Sequence, residues 1–234
     1  MEDGAAPHAV HGGGVSMPVP ASPKIYHIVN VDKLPSIIGD GALWSDAKMA
    51  VHAPVGTVIG MQKIKNRRLH LPVHCRPGTH VGDYVPFYFC PRSVMLYVIH
   101  CGNNEGLAYQ GGQEPIIHLE ADLHEVVAWA DGANVPWAFS LSNAAEVYAE
   151  FRHDLVQLNE VNWLAVDTRR WGGPNVAPEI RSSKQAEFLV YDAFPWNLVR
   201  RIGVCSRQVA MQASEVLREA AHRPGVEIKP DWYY

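Results

Sequence analysis

The 234-residue sequence lacks any apolar run long enough to cross a bilayer, and its N-terminus lacks a basic head followed by an apolar stretch. A membrane protein and a secreted precursor are therefore not expected, and we predict a cytoplasmic location. An excess of basic residues is also missing, because the formal net charge is -4. The chain has no overall positive field of the kind that attracts nucleic acid. Any contact with nucleic acid must come from a local basic patch.

Metal-binding motifs are missing as well. Cys75, Cys90, Cys101 and Cys205 are scattered and lack the short paired spacing of a zinc site, which predicts free thiols in a reducing compartment. The 12 histidines form no HExxH or comparable motif, so the pattern of a metal hydrolase is missing. We therefore predict that the protein uses no metal.

The apolar content is sufficient for one large domain. Hydrophobic residues make up 47% of the chain, which at this length can bury a substantial core. Residues 1–23 differ, because Gly, Ala, Pro and His dominate and aromatic residues are missing. Such a segment cannot bury enough apolar surface to offset its ordering entropy. We predict a flexible tail over 1–23, including His8 and His11, and a single domain over 24–234.

Short strands alternate irregularly with helices along the domain. Alternation and β-branched residues predict strands over 26–31, 85–89, 95–100, 116–119, 187–190 and 199–204. Apolar spacing predicts helices after residue 33 and over 144–151, 155–158 and 210–222, and Gly and Pro predict a loop over 168–178. The order does not follow strict βαβ alternation. It predicts an α+β fold around a split, mainly antiparallel sheet with flanking helices.

The most distinctive segment is DYVPFYFCPRSVML at 83–96. By pattern alone it is an aromatic core strand that ends in a turn. It closely resembles a segment of the DarT family, bacterial toxins that ADP-ribosylate single-stranded DNA with NAD+. Other segments resemble the same family in the same order, namely 25–38 (IYHIVNVDKLPSII), 64–68 (IKNRR), 137–140 (WAFS), 143–144 (NA), 185–190 (QAEFLV) and 232–234 (WYY).

This resemblance implies an ADP-ribosyltransferase fold and an NAD+-dependent enzyme that modifies thymidine in single-stranded DNA. It also implies a toxin whose partner is a macrodomain-containing antitoxin that removes ADP-ribose from DNA. Two alternatives stay open. The acceptor could be guanine, RNA or protein, or the chain could be a non-catalytic module that binds single-stranded nucleic acid and has a degenerate NAD+ site.

Glu187 and Arg67 are the predicted catalytic residues. Glu187 begins an apolar strand after the long loop. A carboxylate at this position is either a solvated strand end or a catalytic group. The QAE match implies the second, in which the carboxylate stabilises the positive charge of the transition state and acts as general base. Arg67 lies in a short cationic segment. Either this segment is a solvated helix face, or the Arg67 guanidinium binds the NAD+ phosphates. We prefer Arg67, but whether Arg67 or Arg68 matches the family's arginine is left open.

Four further residues are predicted to contact NAD+. His27 lies in an apolar strand and Asn30 at its end, and the resemblance implies that they bond the ribose or nicotinamide side. Tyr88 and Met95 suit a flat nicotinamide ring. The alternative for each is an ordinary place in the core.

Five residues of the loop before Glu187 are predicted to bind DNA: Arg169, Arg170, Trp171, Arg181 and Lys184. The arginines and the lysine can bind the phosphates of a single strand, and the indole of the tryptophan can stack on a base. The alternative is a mobile, solvated loop. Three positions depart from the family: Asn143 stands where some members have His, Val94 stands where Pro is common, and Gly82 stands where His is frequent.

Overall fold

An eight-stranded sheet forms the centre of the computed structural model, which describes residues 17–52 and 55–234. The strands run in the order β10-β9-β4-β1-β3-β7-β5-β6, and β9 and β10 are parallel while the other neighbours are antiparallel. A two-stranded sheet of β2 and β8 lies apart. The strands are β1 Lys24–Asn30, β2 Ala42–Trp44, β3 Tyr84–Tyr88, β4 Ile116–Asp122, β5 Trp137–Asn143, β6 Phe151–Arg152, β7 Ala186–Tyr191, β8 Ala193–Pro195, β9 Arg201–Val204 and β10 Gly225–Ile228.

Eight α-helices in these residues flank the sheet. They are α1 Leu34–Asp40, α2 Asp46–Ala50, α3 Gln62–Arg68, α4 Val94–Cys101, α5 Leu123–Gly132, α6 Trp163–Asp167, α7 Pro178–Ser183 and α8 Arg207–Leu217. Short 3-10 turns occupy Val31–Lys33, Val81–Asp83, Leu155–Glu160, Trp196–Leu198 and Pro230–Trp232. None of these helices is long and apolar enough to cross a membrane.

The sheet is split near its middle. Strand β1 pairs with β4 along its whole length, but its register with β3 contains the single pair Tyr26–Tyr88. Beyond that pair, β3 continues with β7 from Tyr84–Tyr191 to Tyr88–Glu187. The predicted split, mainly antiparallel sheet with flanking helices is therefore confirmed. Glu187 lies beside the split, because it pairs with the residue that joins the two halves.

Apolar periodicity accounts for the way the helices cover the sheet. In α8 the buried residues Val209, Ala213 and Leu217 recur every four positions, which places them on one face. Strand β4 is buried on both faces, since Ile116, Ile117 and Leu119 are all fully buried. The polar residues within this strand, His118 and Glu120, are buried too, and each has a hydrogen-bond partner: the Pro91 carbonyl for His118 and the Arg201 guanidinium for Glu120.

Two predicted elements differ from the structure. Residues 95–100, predicted as a strand, belong to α4. Ser93 caps that helix by accepting a hydrogen bond from the Leu96 amide at 3.1 Å, and Gly102 ends it in the left-handed region with φ 61°. These two end signals outweigh the strand propensity of the β-branched residues between them.

Residues 144–151, predicted as a helix, form a turn that ends in β6. The Asn143 side-chain oxygen accepts a hydrogen bond from the Ala145 amide at 2.9 Å, an arrangement that competes with helix formation. Phe151 then pairs with Ser140 of β5.

Part of the predicted N-terminal tail is attached to the domain. Val19 packs against the main core, the Ser22 hydroxyl donates to the Asp122 carboxylate at 2.7 Å, and the Pro23 carbonyl accepts from the Leu123 amide at 3.0 Å. Residues 1–16, with His8 and His11, lie outside the described residues. The chain therefore contacts the domain from Val19 onward, several residues before the predicted boundary at position 24.

Candidate active site

A cavity of about 760 Å³ opens beside the split in the sheet. Its walls include His27 of β1, Tyr88 of β3, Glu187 of β7, Arg68 of α3 and Met95 of α4. Both halves of the sheet therefore contribute to one cavity, whose volume lies within the usual range for sites that bind small molecules and cofactors.

Glu187 and Arg68 form a buried ion pair in this cavity. Glu187 is 5% exposed and Arg68 is 6% exposed. The Arg68 Nη1 atom lies 3.1 Å from Oε1 and 2.9 Å from Oε2 of Glu187. Burial opposes the charge of Arg68, but Glu187 and Asp46 outweigh that effect and raise the pKa of Arg68. The pair thus presents a fixed carboxylate and a fixed guanidinium to the cavity.

The remaining nitrogen atoms of Arg68 are not used within the protein. Among the described residues, Nε and Nη2 are buried and have no hydrogen-bond partner. The Asp46 Oδ2 atom is 3.8 Å from Nε, too far for a hydrogen bond, and Asp46 Oδ1 instead accepts from Lys65 Nζ at 2.8 Å. Buried donors without partners are costly, so these two atoms are placed for the oxygen atoms of a ligand.

Arg67 does not share this position. It is exposed and is not part of the cavity wall, whereas the next residue is buried against Glu187. Consecutive residues of a helix point about 100° apart, and here Arg68 faces the cavity while Arg67 faces solvent. The structure thus differs from our preference for Arg67 and brings Arg68 to the predicted carboxylate.

The main chain around Glu187 is held by an irregularity in β5. The register between β5 and β7 shifts between Phe139 and Asn143, as in a β-bulge. There the hydroxyl of Ser140, which is fully buried, accepts a hydrogen bond from the Glu187 amide at 3.0 Å and donates to the Ser142 carbonyl at 2.6 Å. The hydroxyl provides a partner for the Glu187 amide where the register shifts, and so fixes the start of β7.

Gly82 allows α3 to end close to the sheet. A Cβ atom at Gly82 would lie 2.9 Å from both the backbone nitrogen and the Cα atom of Leu69, which follows Arg68. Real Cβ atoms do not approach a backbone so closely, so any side chain at this position would move the end of the helix. The glycine that departs from the family pattern therefore sets the position of Arg68.

We expect Gly82→Ala to lower the turnover number while leaving the protein folded. The added methyl group displaces Leu69 and with it Arg68, and a shift of about 1 Å at a catalytic group can cost up to about 10²-fold in rate. Gly39→Ala is the matched control, because a Cβ atom there meets nothing within 4 Å. Equal turnover of the two variants would contradict this role of Gly82.

His27 offers an uncharged ring to the cavity. Its Nδ1 atom lies 2.7 Å from the Pro86 carbonyl, which can only accept, so Nδ1 carries the proton and Nε2 carries the lone pair. Burial lowers the pKa of His27 to about 4 despite that hydrogen bond. Near neutral pH the ring is thus neutral and can accept a hydrogen bond from a hydroxyl or amide group.

The other predicted NAD+ contacts fall into two groups. Tyr88 and Met95 line the cavity, and burial followed by the charge of Glu187 raises the pKa of Tyr88, which keeps its hydroxyl protonated. Asn30 is buried but is not part of the cavity wall. Its side-chain oxygen accepts from the Asp32 amide at 3.1 Å and caps the following turn. The structure gives Asn30 a local structural contact in place of the predicted ligand contact.

Two side-chain amides lie on the wall beside Glu187. The Asn143 Nδ2 atom donates to Gln185 Oε1 at 3.2 Å, and both residues line the cavity. The amide pair therefore presents uncharged polar groups to the cavity.

The loop residues predicted to bind DNA also separate into two groups. Arg169, Arg170 and Arg181 are exposed. Lys184 is 3% exposed, and its Nζ atom donates to the carbonyls of Val166 and Thr168, the latter at 2.9 Å, at the end of α6. A cation is favourable at the C-terminal end of a helix. The predicted contact of Lys184 with DNA is therefore replaced by a structural one that closes the base of the loop.

Trp171 differs from its prediction in the same way. It is 9% exposed, and its Nε1 atom donates to the Tyr234 hydroxyl at 3.0 Å. An indole whose ring is buried and whose N–H is used cannot stack freely on a base. Trp171 instead anchors the loop to the rest of the domain.

The family model of the ssDNA thymidine ADP-ribosyltransferase DarT matches residues 26–234. The chain belongs to the DarT family. A DNA ADP-ribosyl transferase of Thermus sp. (strain 2.9) is 40% identical over 217 residues, which is 92% of this chain and 98% of the relative. Membership confirms the predicted enzyme class, an NAD+-dependent transferase that attaches ADP-ribose to thymidine in single-stranded DNA.

Solved DarT structures support the fold and the co-substrate. Thermus sp. 2.9 DarT in complex with ADP-ribosylated ssDNA matches with a TM-score of 0.84 and 38% identity, covering 94% of this chain and 100% of that one. The same DarT in complex with NAD+ matches with a TM-score of 0.76 and 38% identity, covering 92% and 99%. The expected ADP-ribosyltransferase fold and the use of NAD+ are therefore confirmed.

Three residues of the site were not found from the sequence, namely Asp46, Ser140 and Gln185. The Ser45–Asp46 pair signals a helix start, and Ser140 and Gln185 lie within segments that resemble the family. Nothing in those segments shows which side chain reaches Arg68 or Glu187, because each contact joins distant parts of the chain.

Proposed function

We propose that the Glu187–Arg68 pair is the centre at which ADP-ribose is transferred from NAD+ to thymidine. The supporting observation is the buried pair itself, which faces the cavity with two unused guanidinium donors. A structural ion pair would use its donors within the protein, whereas a binding group keeps them for a ligand. We thus assign to Arg68 the NAD+-binding role for which the sequence favoured Arg67.

Each residue has a distinct part in this step. The bond between ribose and the nicotinamide nitrogen breaks, and nicotinamide leaves with the bonding electrons. The positive charge that develops on the ribose is stabilised by the Glu187 carboxylate. A thymine in DNA has one N–H group, at N3; this nitrogen forms the new bond and Glu187 accepts its proton. Arg68 holds Glu187 in place through Nη1, while Nε and Nη2 bind oxygen atoms of NAD+.

The other cavity residues fit NAD+ in this arrangement. His27 accepts a hydrogen bond at Nε2, and Tyr88 and Met95 pack against a flat ring. The cavity also has an amide pair, Asn143 and Gln185, near the carboxylate where the acceptor base must arrive. We assign the pair to the DNA side of the cavity.

Single-stranded DNA reaches this centre along the exposed part of the loop. Arg169, Arg170 and Arg181 are exposed cations in a protein whose net charge is negative, and they supply the local basic patch that DNA binding requires. The reacting edge of thymine is paired in a duplex, so the substrate has to be unpaired. Trp171 and Lys184 support the loop and make no contact with DNA.

We expect the double variant Arg169→Gln, Arg170→Gln to reduce the salt dependence of the KM for DNA. For single strands, each lost phosphate contact lowers the slope of log affinity against log salt by about 0.7. The KM for NAD+ should not change. Arg218→Gln is the control, because this exposed arginine follows α8 at the other end of the sheet. An unchanged slope in the double variant would place the DNA on another surface.

The experiment that tests the activity uses labelled NAD+ with matched acceptors. We expect incorporation of label into single-stranded oligonucleotides that contain thymidine and none into the same sequence as a duplex. Oligonucleotides with guanine but no thymidine, RNA of the same sequence and bulk protein are the comparison acceptors. Labelling of one of these in place of thymidine DNA would contradict the proposed acceptor.

We also propose that the protein is a cytoplasmic toxin whose partner is a macrodomain-containing antitoxin. The support is family resemblance together with the chemistry, because ADP-ribose on thymine N3 blocks base pairing. Expression of the wild-type gene should stop bacterial growth, and co-expression of a macrodomain that removes ADP-ribose from DNA should restore it. Normal growth of cells that contain active protein would contradict the toxin role.

A further inference from the structure

Three aromatic residues form a cluster beside the cavity: Tyr97, Trp171 and Tyr234. The ring centroids of Tyr97 and Trp171 are 5.1 Å apart at an angle of 88°, and those of Tyr97 and Tyr234 are also 5.1 Å apart. Trp171 is 9% exposed, whereas Tyr97 is 40% exposed. Tyr97 is therefore the ring that this aromatic cluster presents to solvent.

The support beneath Tyr97 is fixed by polar contacts. The Tyr234 hydroxyl accepts a hydrogen bond from Trp171 Nε1 at 3.0 Å and donates to the Arg92 carbonyl at 2.9 Å. The Arg92 guanidinium lies over the Tyr234 ring, 4.1 Å from its centroid. A ring that rests on a fixed support loses little conformational entropy when a ligand stacks on it.

The position of Tyr97 connects the cavity with the basic loop. Val94 lines the cavity, and Tyr97 follows it by one turn of α4, where Cβ atoms are about 5–6 Å apart. On the other side, Trp171 directly follows Arg169 and Arg170, which are exposed. Tyr97 is therefore one helical turn from a residue of the cavity wall and in contact with the tryptophan that follows the two arginines.

We propose that Tyr97 is a stacking subsite for an unpaired base next to the thymidine that is modified. This inference rests on the proposed function. An exposed tyrosine with an aromatic support and cations nearby has the composition of sites that bind single strands, where the ring takes a base and the cations take the phosphates. Stacking does not depend on base identity, so this subsite contributes affinity and placement and leaves the choice of thymidine to the cavity.

The experiment compares Tyr97→Leu and Tyr97→Phe with two kinds of oligonucleotide. One is a short single strand with one thymidine, and the other has an abasic linker directly before or directly after that thymidine. Leucine keeps apolar contact with Trp171 but has no ring to stack, whereas phenylalanine keeps the ring. Met211→Ala removes an exposed apolar side chain from α8, which packs against β9 and β10 and carries none of the residues of the aromatic cluster, and serves as the control.

With the wild-type protein, the abasic linker on one side should raise the KM for DNA by about 5- to 150-fold, which corresponds to a stacking energy of about 1–3 kcal/mol. Tyr97→Leu should raise the KM of the intact strand by the same factor and remove the difference between intact and abasic strands. Tyr97→Phe and Met211→Ala should behave like the wild type. The KM for NAD+ should be unchanged in every variant.

Two results would overturn the subsite. One is an unchanged KM for DNA in Tyr97→Leu, and the other is a full abasic penalty that persists in that variant. A structural effect of the substitution would raise the KM equally for intact and abasic strands, which is the second of these results. Absence of any labelled DNA with the wild-type protein would instead contradict the proposed function itself, so the two failures are distinguishable.

Discussion

Glu187→Gln is expected to reduce transfer of ADP-ribose by on the order of 10³-fold or more while NAD+ still binds. The substitution keeps the shape of the side chain and removes its charge. It therefore removes both the stabilisation of the positive ribose and the acceptor for the thymine proton. The measurement is the rate of label transfer to a thymidine oligonucleotide, together with the Kd for NAD+ by calorimetry.

A second buried glutamate provides the control for this experiment. Glu120 of β4 is 3% exposed and forms a two-pronged ion pair with Arg201, at 2.8 Å and 2.9 Å, outside the cavity wall. Glu120→Gln breaks a buried Glu–Arg pair in the same way and should cost stability without slowing transfer. Transfer at close to the wild-type rate by Glu187→Gln, or an equal loss in Glu120→Gln, would refute the assignment of Glu187.

Arg68→Ala should weaken NAD+ binding and lower turnover together, whereas Arg67→Ala should be nearly silent. In the proposed mechanism Arg68 holds the Glu187 carboxylate and binds NAD+ through its unused donors, and removal of such a group typically costs about 10²–10³-fold in rate. Removal also leaves Glu187 buried without its partner, which costs about 3–5 kcal/mol of stability. Arg67 is exposed, and such substitutions usually change stability by less than about 0.5 kcal/mol.

Arg68→Lys separates catalysis from stability in this comparison. Lysine keeps the positive charge beside Glu187, so much of the stability should return. Its single ammonium group cannot replace the forked geometry of the guanidinium, so turnover should stay low. Unfolding by denaturant and the KM for NAD+ are measured on the same preparations. A severe Arg67→Ala variant next to a silent Arg68→Ala variant would exchange the two roles again.

The fold was predictable where the local pattern and the tertiary structure agree. The segments 26–31, 85–89 and 187–190 have strand patterns and form strands within about two residues of the predicted bounds. Residues 95–100 have the same kind of pattern and form a helix, because Ser93 and Gly102 determine its ends. In short apolar segments, capping residues outside the pattern are therefore as informative as the pattern itself.

The site was predictable as far as residue type and approximate position. The QAE segment predicts Glu187, which the structure places in the cavity wall, but two arginines in succession cannot be ranked when the partner of one lies more than a hundred residues away in the chain. Trp171 has the composition expected of a DNA contact, yet its partner Tyr234 comes from the end of the sequence. Solvent exposure separates the loop arginines, which can reach a ligand, from Trp171 and Lys184, which are buried. The exposure of a side chain depends on the whole fold and cannot be read from the loop sequence.

The split in the sheet has a mechanical consequence for the protein. The two halves share one register pair, Tyr26–Tyr88, and the hydrogen bond between His27 and the Pro86 carbonyl; one half contributes His27 to the cavity and the other contributes Glu187. A co-substrate that touches both residues acts as a brace, because it binds well only when the halves are correctly spaced. Its binding free energy is then added to the work needed to pull them apart. We therefore expect NAD+ to raise the resistance of the protein to unfolding, with the two halves of the sheet held together by the bound co-substrate.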